Sequence, residues 1–379
     1  MKITVSVHGR YHGFDLAKGL SQRGHLDQLL TTYPKFIARR FVGTDASIKS
    51  VSVLEFRRRM YLKFGLGGKP DLAIVKSFGN FSRQQVRGDT DIFVGWSSAS
   101  LEAIKPAQDL GAKVIIERGS THIASQTNVL RAAYKELGLY FCETDLEIIE
   151  REEQEYALAD KIAVPSNYAA QTFVDHGVSM DKIFVNGMGV DLELFQAPAT
   201  RPVGRRPRIV FAGGVGIRKG VPWLLDAFKR VSSKAELHLI GPVSSDYKDM
   251  LRIGVGENIY VRGALSGRQL ATEYSRGDIF CLPSLEEGYG MVIPQAMACG
   301  LPIVTTHVVG AADLLGHGHS GLIVPPGDSI ALADALERLV DDVPLRVSMG
   351  VHSLKTIQFG QSWDDYVGRA IEFYKGLLA

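Results

Sequence analysis

The chain has 379 residues, 45% of them apolar and 22% charged, too long for one ordinary core and too apolar for a disordered chain. A net charge of +2 argues against a nucleic-acid partner, which demands stronger basicity. No apolar run approaches the roughly 18 residues that span a bilayer, so two soluble-type domains of roughly 180 residues each are expected.

The opening "MKITVSVHGRYHGF" lacks the features of a signal or transit peptide. A cytoplasmic location is therefore expected, at most peripheral on the inner face of the cell membrane. Its strand-like run leads into "HGRYHG" (8–13), whose Gly9, Arg10 and Gly13 are candidates to meet an acceptor or a phosphate. Residues 1–90 hold 16 Lys and Arg against 6 Asp and Glu, whereas residues 91–200 hold 8 against 17. Within the basic part, residues 55–69 interleave Arg57, Arg58, Arg59, Lys63 and Lys69 with Phe56, Met60, Tyr61, Leu62, Phe64 and Leu66. That mixture suits an anionic lipid surface or a charged acceptor, and equally a solvated face.

"GDTDIF" (88–93) contains a D-x-D pair, Asp89 and Asp91, but at the start of a strand, where ordinary turn acids sit; no metal is expected. "KVIIERGST" (113–121) is a strand whose carboxyl end delivers "ERGSTH", placing His122 as a candidate on a sugar hydroxyl or a leaving phosphate. "DLEIIEREEQEYALAD" (145–160) reads as helix and "KIAVPS" (161–166) as strand. Residues 196–207, with three prolines and an arginine cluster, read as a linker. Cys142, Cys281 and Cys299 lack metal or redox spacing and are expected to be buried structural thiols. The Asn80-Phe81-Ser82 sequon carries little weight in a cytoplasmic chain.

The alternation then restarts with "RIVFAGG" (208–214) and the helix pattern of 219–231, where Val221, Leu224, Leu225 and Phe228 share a face. "GGVGIRKG" (213–220) has neither a complete dinucleotide fingerprint nor a P-loop. It leaves the glycine turn Gly213-Gly214, the cations Arg218 and Lys219, and a helix start, together suited to a diphosphate. "EEGYGMVIPQAMACG" (286–300) supplies a second strand–turn–helix unit. There Glu287 is placed to accept from sugar hydroxyls, with Gly288, Tyr289, Gly290 and Met291 in the turn.

Lys219-Gly220 after the glycine turn, "PSLEEGYGMVIPQAMACGLPIV" and "SGLIVPPGDSIALADAL" resemble the donor-binding half of glycosyltransferase family 4, retaining enzymes of the GT-B fold. "YALADKIAVPS", "GVDLELF" and "SWDDYVGRAIEFYKGLL" (362–378), similar to the family's closing helix, extend the resemblance over almost the whole chain. It implies an α/β architecture of two doubly wound Rossmann-like domains facing each other across a deep cleft. Residues 1–197 would form the acceptor side and 205–359 the donor side, with a helix of about 360–379 packing back on the first domain.

The resemblance places Glu287, first acid of an E-x7-E motif, on the donor sugar. Gln295 replaces the second acid that meets the ribose, and Gly214 stands where many members carry an arginine. The "VRGALSG" turn (261–267) would bring Gly263, Ala264 and Leu265 to the base. His122, Glu287, Lys219 and Arg218 are then the expected catalytic group. The implied reaction moves a sugar, with retention, from a nucleoside diphosphate to a hydroxyl of a glycan or lipid-linked acceptor in bacterial surface polysaccharide or lipopolysaccharide synthesis. No metal or cofactor is expected, and a UDP-sugar is expected over a GDP-sugar. Gln295 and Gly214 keep open a catalytically weak binding or assembly subunit; an epimerase or phosphorylase on the same frame is the third reading.

Overall fold

Strands such as "ITVSV" and "KVIIE" are buried on both faces, the condition of parallel sheets covered by helices on either side. The computed structural model describes residues 1–64, 71–201, 204–316 and 318–379. Seven parallel strands, β1 (Ile3–Val7), β2 (Leu26–Thr31), β3 (Ile48–Ser50), β4 (Ile92–Trp96), β5 (Lys113–Glu117), β6 (Lys161–Val164) and β7 (Ile183–Val185), make one sheet in the order β3-β2-β1-β4-β5-β6-β7. The second sheet has six: β8 (Arg208–Ala212), β9 (Glu236–Ile240), β10 (Ile259–Gly263), β11 (Ile279–Leu282), β12 (Ile303–Thr306) and β13 (Gly321–Val324), in the order β10-β9-β8-β11-β12-β13. Strand order reverses between β1 and β4 in the first sheet and between β8 and β11 in the second. At each reversal the flanking connections leave in opposite directions and open a crevice at the carboxyl ends.

The first helix of the second domain runs Val221–Phe228, shorter than the 219–231 pattern, and buries Val221, Leu224, Leu225 and Phe228 together. The linker is not loose throughout. Arg201 donates to the Ser275 carbonyl at 3.2 Å and Arg205 to Asp278 at 2.7 Å, so its arginines fasten it to the second domain.

The helix Trp363–Leu378 opens on a Ser362/Asp365 capping box and buries Tyr366, Val367, Ala370, Ile371 and Tyr374 in the core of the first domain. It lies so close to the helix Gly13–Gln22 that a Cβ at Gly19 would stand 2.5 Å from Val367 Cγ2. Glycine is therefore a condition of this crossing.

Asp91 accepts from the Lys2 backbone at 2.6 Å and Asp89 pairs with the Lys2 side chain, both at the amino end of β4 and far from either crevice. Cys281 and Cys299 are buried, but Cys142 is exposed, which corrects the expectation of three buried thiols: Cys142 lies in a coil before the helix Leu146–Leu158. Among the described residues no helix is long and apolar enough to cross a membrane.

Candidate functional site

The two crevices face each other and form one cavity of about 750 Å³. Its lining comes from the segments following β1, β4 and β5 on one wall, and β8 and β11 on the other. Both walls thus sit at the reversals of strand order, and Trp363 of the crossing helix adds to the lining.

On the second-domain wall, Gly213, Lys219, Glu287, Tyr289, Gly290, Met291 and Gln295 come together. Lys219 and Glu287 are in direct contact, with side chains only 15% and 13% exposed. Burial and the neighbouring Arg218 guanidinium pull the Lys219 ammonium down to about 7, while Glu286 works to raise it. Contact with the Glu287 carboxylate also favours the charged form, so the ion pair is the state the geometry supports. Gln295 reaches the cavity from the short helix Val292–Ala298, and its buried Oε1 has no hydrogen-bond partner among the described residues.

The turn between β11 and that helix serves two masters by alternation. Glu287 and Gly290 face the cavity, Glu286 and Gly288 meet the first domain, and Tyr289 does both. Glu286 is fully buried and accepts from Ser120 at 3.0 Å, Thr121 at 2.6 Å and Gln126 at 3.0 Å across the interface, and from Arg218 at 2.8 Å. Burial acts to raise its pKa, but the Arg218 charge and these hydrogen bonds outweigh it and hold the carboxyl at about 2. Ser166 donates to the Gly288 carbonyl at 2.7 Å and the Tyr289 hydroxyl to the Met188 carbonyl at 3.0 Å. A Cβ on Gly288 would stand 2.4 Å from Ser120 Cα, so only glycine lets the two backbones approach.

On the first-domain wall, His8, Arg10, Tyr11, His12, Trp96, Ser98, Arg118, Gly119 and Ser120 line the cavity. His12 meets Glu117 at 3.2 Å, and Glu117 also accepts from the Tyr366 hydroxyl at 3.2 Å. Ser98 has φ of +70°, a conformation that costs a non-glycine residue of order 1 kcal/mol. It is held there by Glu155, which accepts from its N–H at 2.7 Å, and by the Arg151 guanidinium on its carbonyl. Burial and neighbouring Glu152 push the Glu155 carboxyl up to about 8. Trp96 Nε1 and His8 Nδ1 are buried without a hydrogen-bond partner among the described residues, and burial brings the His8 imidazole down to about 4, keeping it neutral.

Several expected residues stand elsewhere. His122 is a correction: it caps the helix Ile123–Glu136, accepting from the Ala124 N–H, and its ring stacks on His176 at 4.1 Å in a separate cavity with Tyr156. The turn after β5 spends Arg118, Gly119 and Ser120 on the cleft, and by His122 the chain has turned away. Gly288 faces the other domain instead of a phosphate. Arg218 is held by Glu286, 3.6 Å from Glu287, at the edge of the cleft and not in its lining. Gly214 has open space where its Cβ would be, also outside the lining.

Gly263 ends β10 and Ala264 and Leu265 follow it, two strands from β8, hence roughly 10 Å along the sheet from Gly213. They do not line the cavity. Gly13 abuts the Trp96 ring, where a Cβ would stand at 2.9 Å, and does not face the cleft. Gly9 lines an adjoining cavity, and Arg10 lines both. Glu286, His8, His12, Glu117 and Trp96 are site residues that the sequence patterns do not single out. A signal for two of them lies in "HGRYHG", whose histidines flank Gly9 and Arg10.

Residues 206–342 match the family described as glycosyl transferases group 1. A D-inositol 3-phosphate glycosyltransferase of Xylanimonas cellulosilytica is 27% identical over 59% of this chain and 58% of its own length, so the chain matches under two thirds of that relative. Among solved structures, sucrose-phosphate synthase from Thermosynechococcus elongatus is similar with a TM-score of 0.76 at 19% identity, covering 99% of this chain and 98% of that one. Anabaena HepE, solved in complex with UDP and glucose, is similar with a TM-score of 0.70 at 16% identity, covering 100% and 99%. At such identities the likeness is one of fold: two Rossmann-like domains in the GT-B arrangement.

Proposed function

We propose that this chain is a metal-independent, retaining glycosyltransferase that moves a sugar from a nucleoside diphosphate to a hydroxyl of a glycan or glycolipid acceptor. The observation that carries this reading is the contact of Lys219 with Glu287 in one interdomain cavity, beside Gly213 and Gly290 and at the carboxyl ends of β8 and β11. The pair sets a cation and an anion at the same place. A diphosphate competes for Lys219 and a sugar hydroxyl for Glu287, so a single ligand carrying both groups replaces one ion pair with two matched contacts.

In the proposed reaction the bond between the sugar's anomeric carbon and the diphosphate oxygen breaks, and the acceptor oxygen bonds to the same face. The acceptor proton passes to the departing phosphate oxygen. Lys219, with Arg218 at its shoulder, stabilises the charge that develops there. Synthesis of a bacterial surface polysaccharide or lipopolysaccharide is the proposed setting, in line with the names of proteins this chain resembles, such as the Staphylococcus aureus capsular polysaccharide glycosyltransferase CapM.

A thermal-shift panel of UDP, GDP, ADP and their sugars tests the donor. UDP and its sugars are expected to raise the melting temperature most, by mass action. Gln295→Glu should tighten nucleotide binding by about 1 kcal/mol, since an ionised acceptor makes the stronger bond to a ribose hydroxyl. If no nucleotide shifts the melting temperature, the reading falls.

The basic segment 55–69 is proposed to touch an anionic membrane surface. Its described part belongs to the helix Ser52–Phe64, where Phe56 is 64% exposed; positions 65–69 lie outside the described residues. Arg58 and Arg59 both reach the buried Glu55, at 2.9 and 2.7 Å, while Arg57 pairs with no acid among the described residues. Sedimentation with phosphatidylserine-containing vesicles should show salt-sensitive binding that Arg57→Ala weakens; equal binding by neutral vesicles would remove the proposal.

A further inference from the structure

A second cavity of about 790 Å³ adjoins the cleft within the first domain. His8, Arg10, Tyr11 and Ser98 line both cavities, so the segment after β1 and the strained Ser98 form their common wall. Apart from that wall, its sides differ in character. Leu72, Val75 and Ile148 give an apolar face, while Tyr33 brings an aromatic ring with a hydroxyl group to match that of Tyr11 on the shared wall. Arg58, Asp71, Glu143 and Asp145 add charged groups of both signs.

We propose that this second cavity is the acceptor chamber and that it takes an uncharged pyranoside; the assignment as acceptor rests on the transferase reading above. A pyranose ring has an apolar face that suits aromatic and aliphatic walls, and a girdle of hydroxyls that donate to carboxylates and accept from guanidinium groups. A phosphorylated acceptor fits less well. Of the two lining cations among the described residues, Arg58 is bound through two nitrogens to Glu55 and Arg10 lies over the Phe41 ring, while the carboxylates of Asp71, Glu143 and Asp145 repel an added anion. His8, neutral and lining both cavities, stands where the chambers meet and positions the hydroxyl that enters the cleft.

The exposed Cys142 lines this chamber whereas Cys281 and Cys299 are buried, so a thiol reagent can close it selectively. The test is saturation-transfer-difference NMR on the full chain with methyl α-D-glucopyranoside, methyl α-D-mannopyranoside and methyl β-D-galactopyranoside, and with glucose 6-phosphate, each with and without UDP. At least one methyl glycoside is expected to bind. Its signal should fall at least fivefold in Leu72→Trp and in protein labelled with fluorescein maleimide, but not in Cys142→Ser treated identically. The thermal shift caused by UDP should be the same in all four proteins.

The inference is overturned if no glycoside binds the parent, if both blocks leave the signal intact, or if glucose 6-phosphate displaces the glycosides at lower concentration. Should glycosides bind and be excluded by the blocks while no nucleotide shifts the melting temperature, the donor reading fails and the chamber stands.

Discussion

Lys219→Ala is expected to lower kcat/KM for sugar transfer by about 10²- to 10³-fold, with most of the loss in kcat. The ammonium sits in a largely buried place beside Glu287, and the charge it meets grows only as the diphosphate departs. An electrostatic contact inside such a site is stronger than one in water, so its removal is felt chiefly in the transition state. Glu287→Gln should act differently, weakening the hold on the sugar's hydroxyls and raising KM along with its effect on kcat.

The pH profile separates the two roles. With Lys219 drawn down to about 7 by burial and Arg218, the free enzyme loses its cation as pH rises, and kcat/KM should fall on the alkaline side. Glu287→Gln removes a carboxylate that favours the protonated lysine, so the fall should move to lower pH. Steady-state kinetics of both variants across pH 5 to 9 supply the check. Turnover by Lys219→Ala equal to the parent would take the lysine off the leaving group.

Glu286→Ala should cost about 3 kcal/mol of stability and loosen the contact between the domains. The carboxylate is fully buried, so its loss leaves the hydroxyls of Ser120 and Thr121 without their acceptor and the amide nitrogen of Gln126 with only the Ser120 hydroxyl, at 3.1 Å. Arg218 is 35% exposed and regains part of its hydration, which keeps the figure toward the lower end of the range for a broken buried pair. Because the folded-state pKa of Glu286 lies at about 2, below its unfolded value, its contribution is complete above the unfolded value of about 4.3. That contribution is lost as pH falls from there toward 2. The parent should therefore lose stability faster than Glu286→Ala over that acidic window. Urea denaturation at pH 3 and pH 7, with small-angle scattering for the domain separation, measures both effects; an unchanged pH dependence in the variant would refute the clamp.

Much of this architecture is legible in the sequence because parallel strands buried on both faces write themselves as apolar runs, and "RIVFA" and "IFCL" form β8 and β11 where the alternation places them. Lys219, Glu287 and Gly290 are legible for a related reason: strand–turn–helix spacing fixes which residues stand at a strand's carboxyl end, whereas Gln295 is legible only through the family resemblance. The first-domain wall is not, since Ser120, three residues beyond β5, and His122, five residues beyond it, are equally placed in a string. Which of them faces the cleft depends on where the next helix begins, and here His122 is spent as the cap of that helix. Glu286 escapes for another reason. Its partners lie some 160 residues earlier in the chain, and no local periodicity encodes a contact across two domains.

The alternation of outward and inward residues along Glu286–Gly290 has a bearing on how the two halves can be exchanged. A chimera that joins this second domain to another first domain would inherit Glu287 with its ligand-facing geometry, but Glu286 would arrive without Ser120, Thr121 and Gln126. The graft would then carry a buried negative charge short of donors, and the backbone at Gly288 would meet an unfamiliar turn. Such a chimera should recover its fit only when residues 118–126 travel with the second domain, which makes that short turn and helix start, though encoded in the first half, a part of the second half's transferable unit.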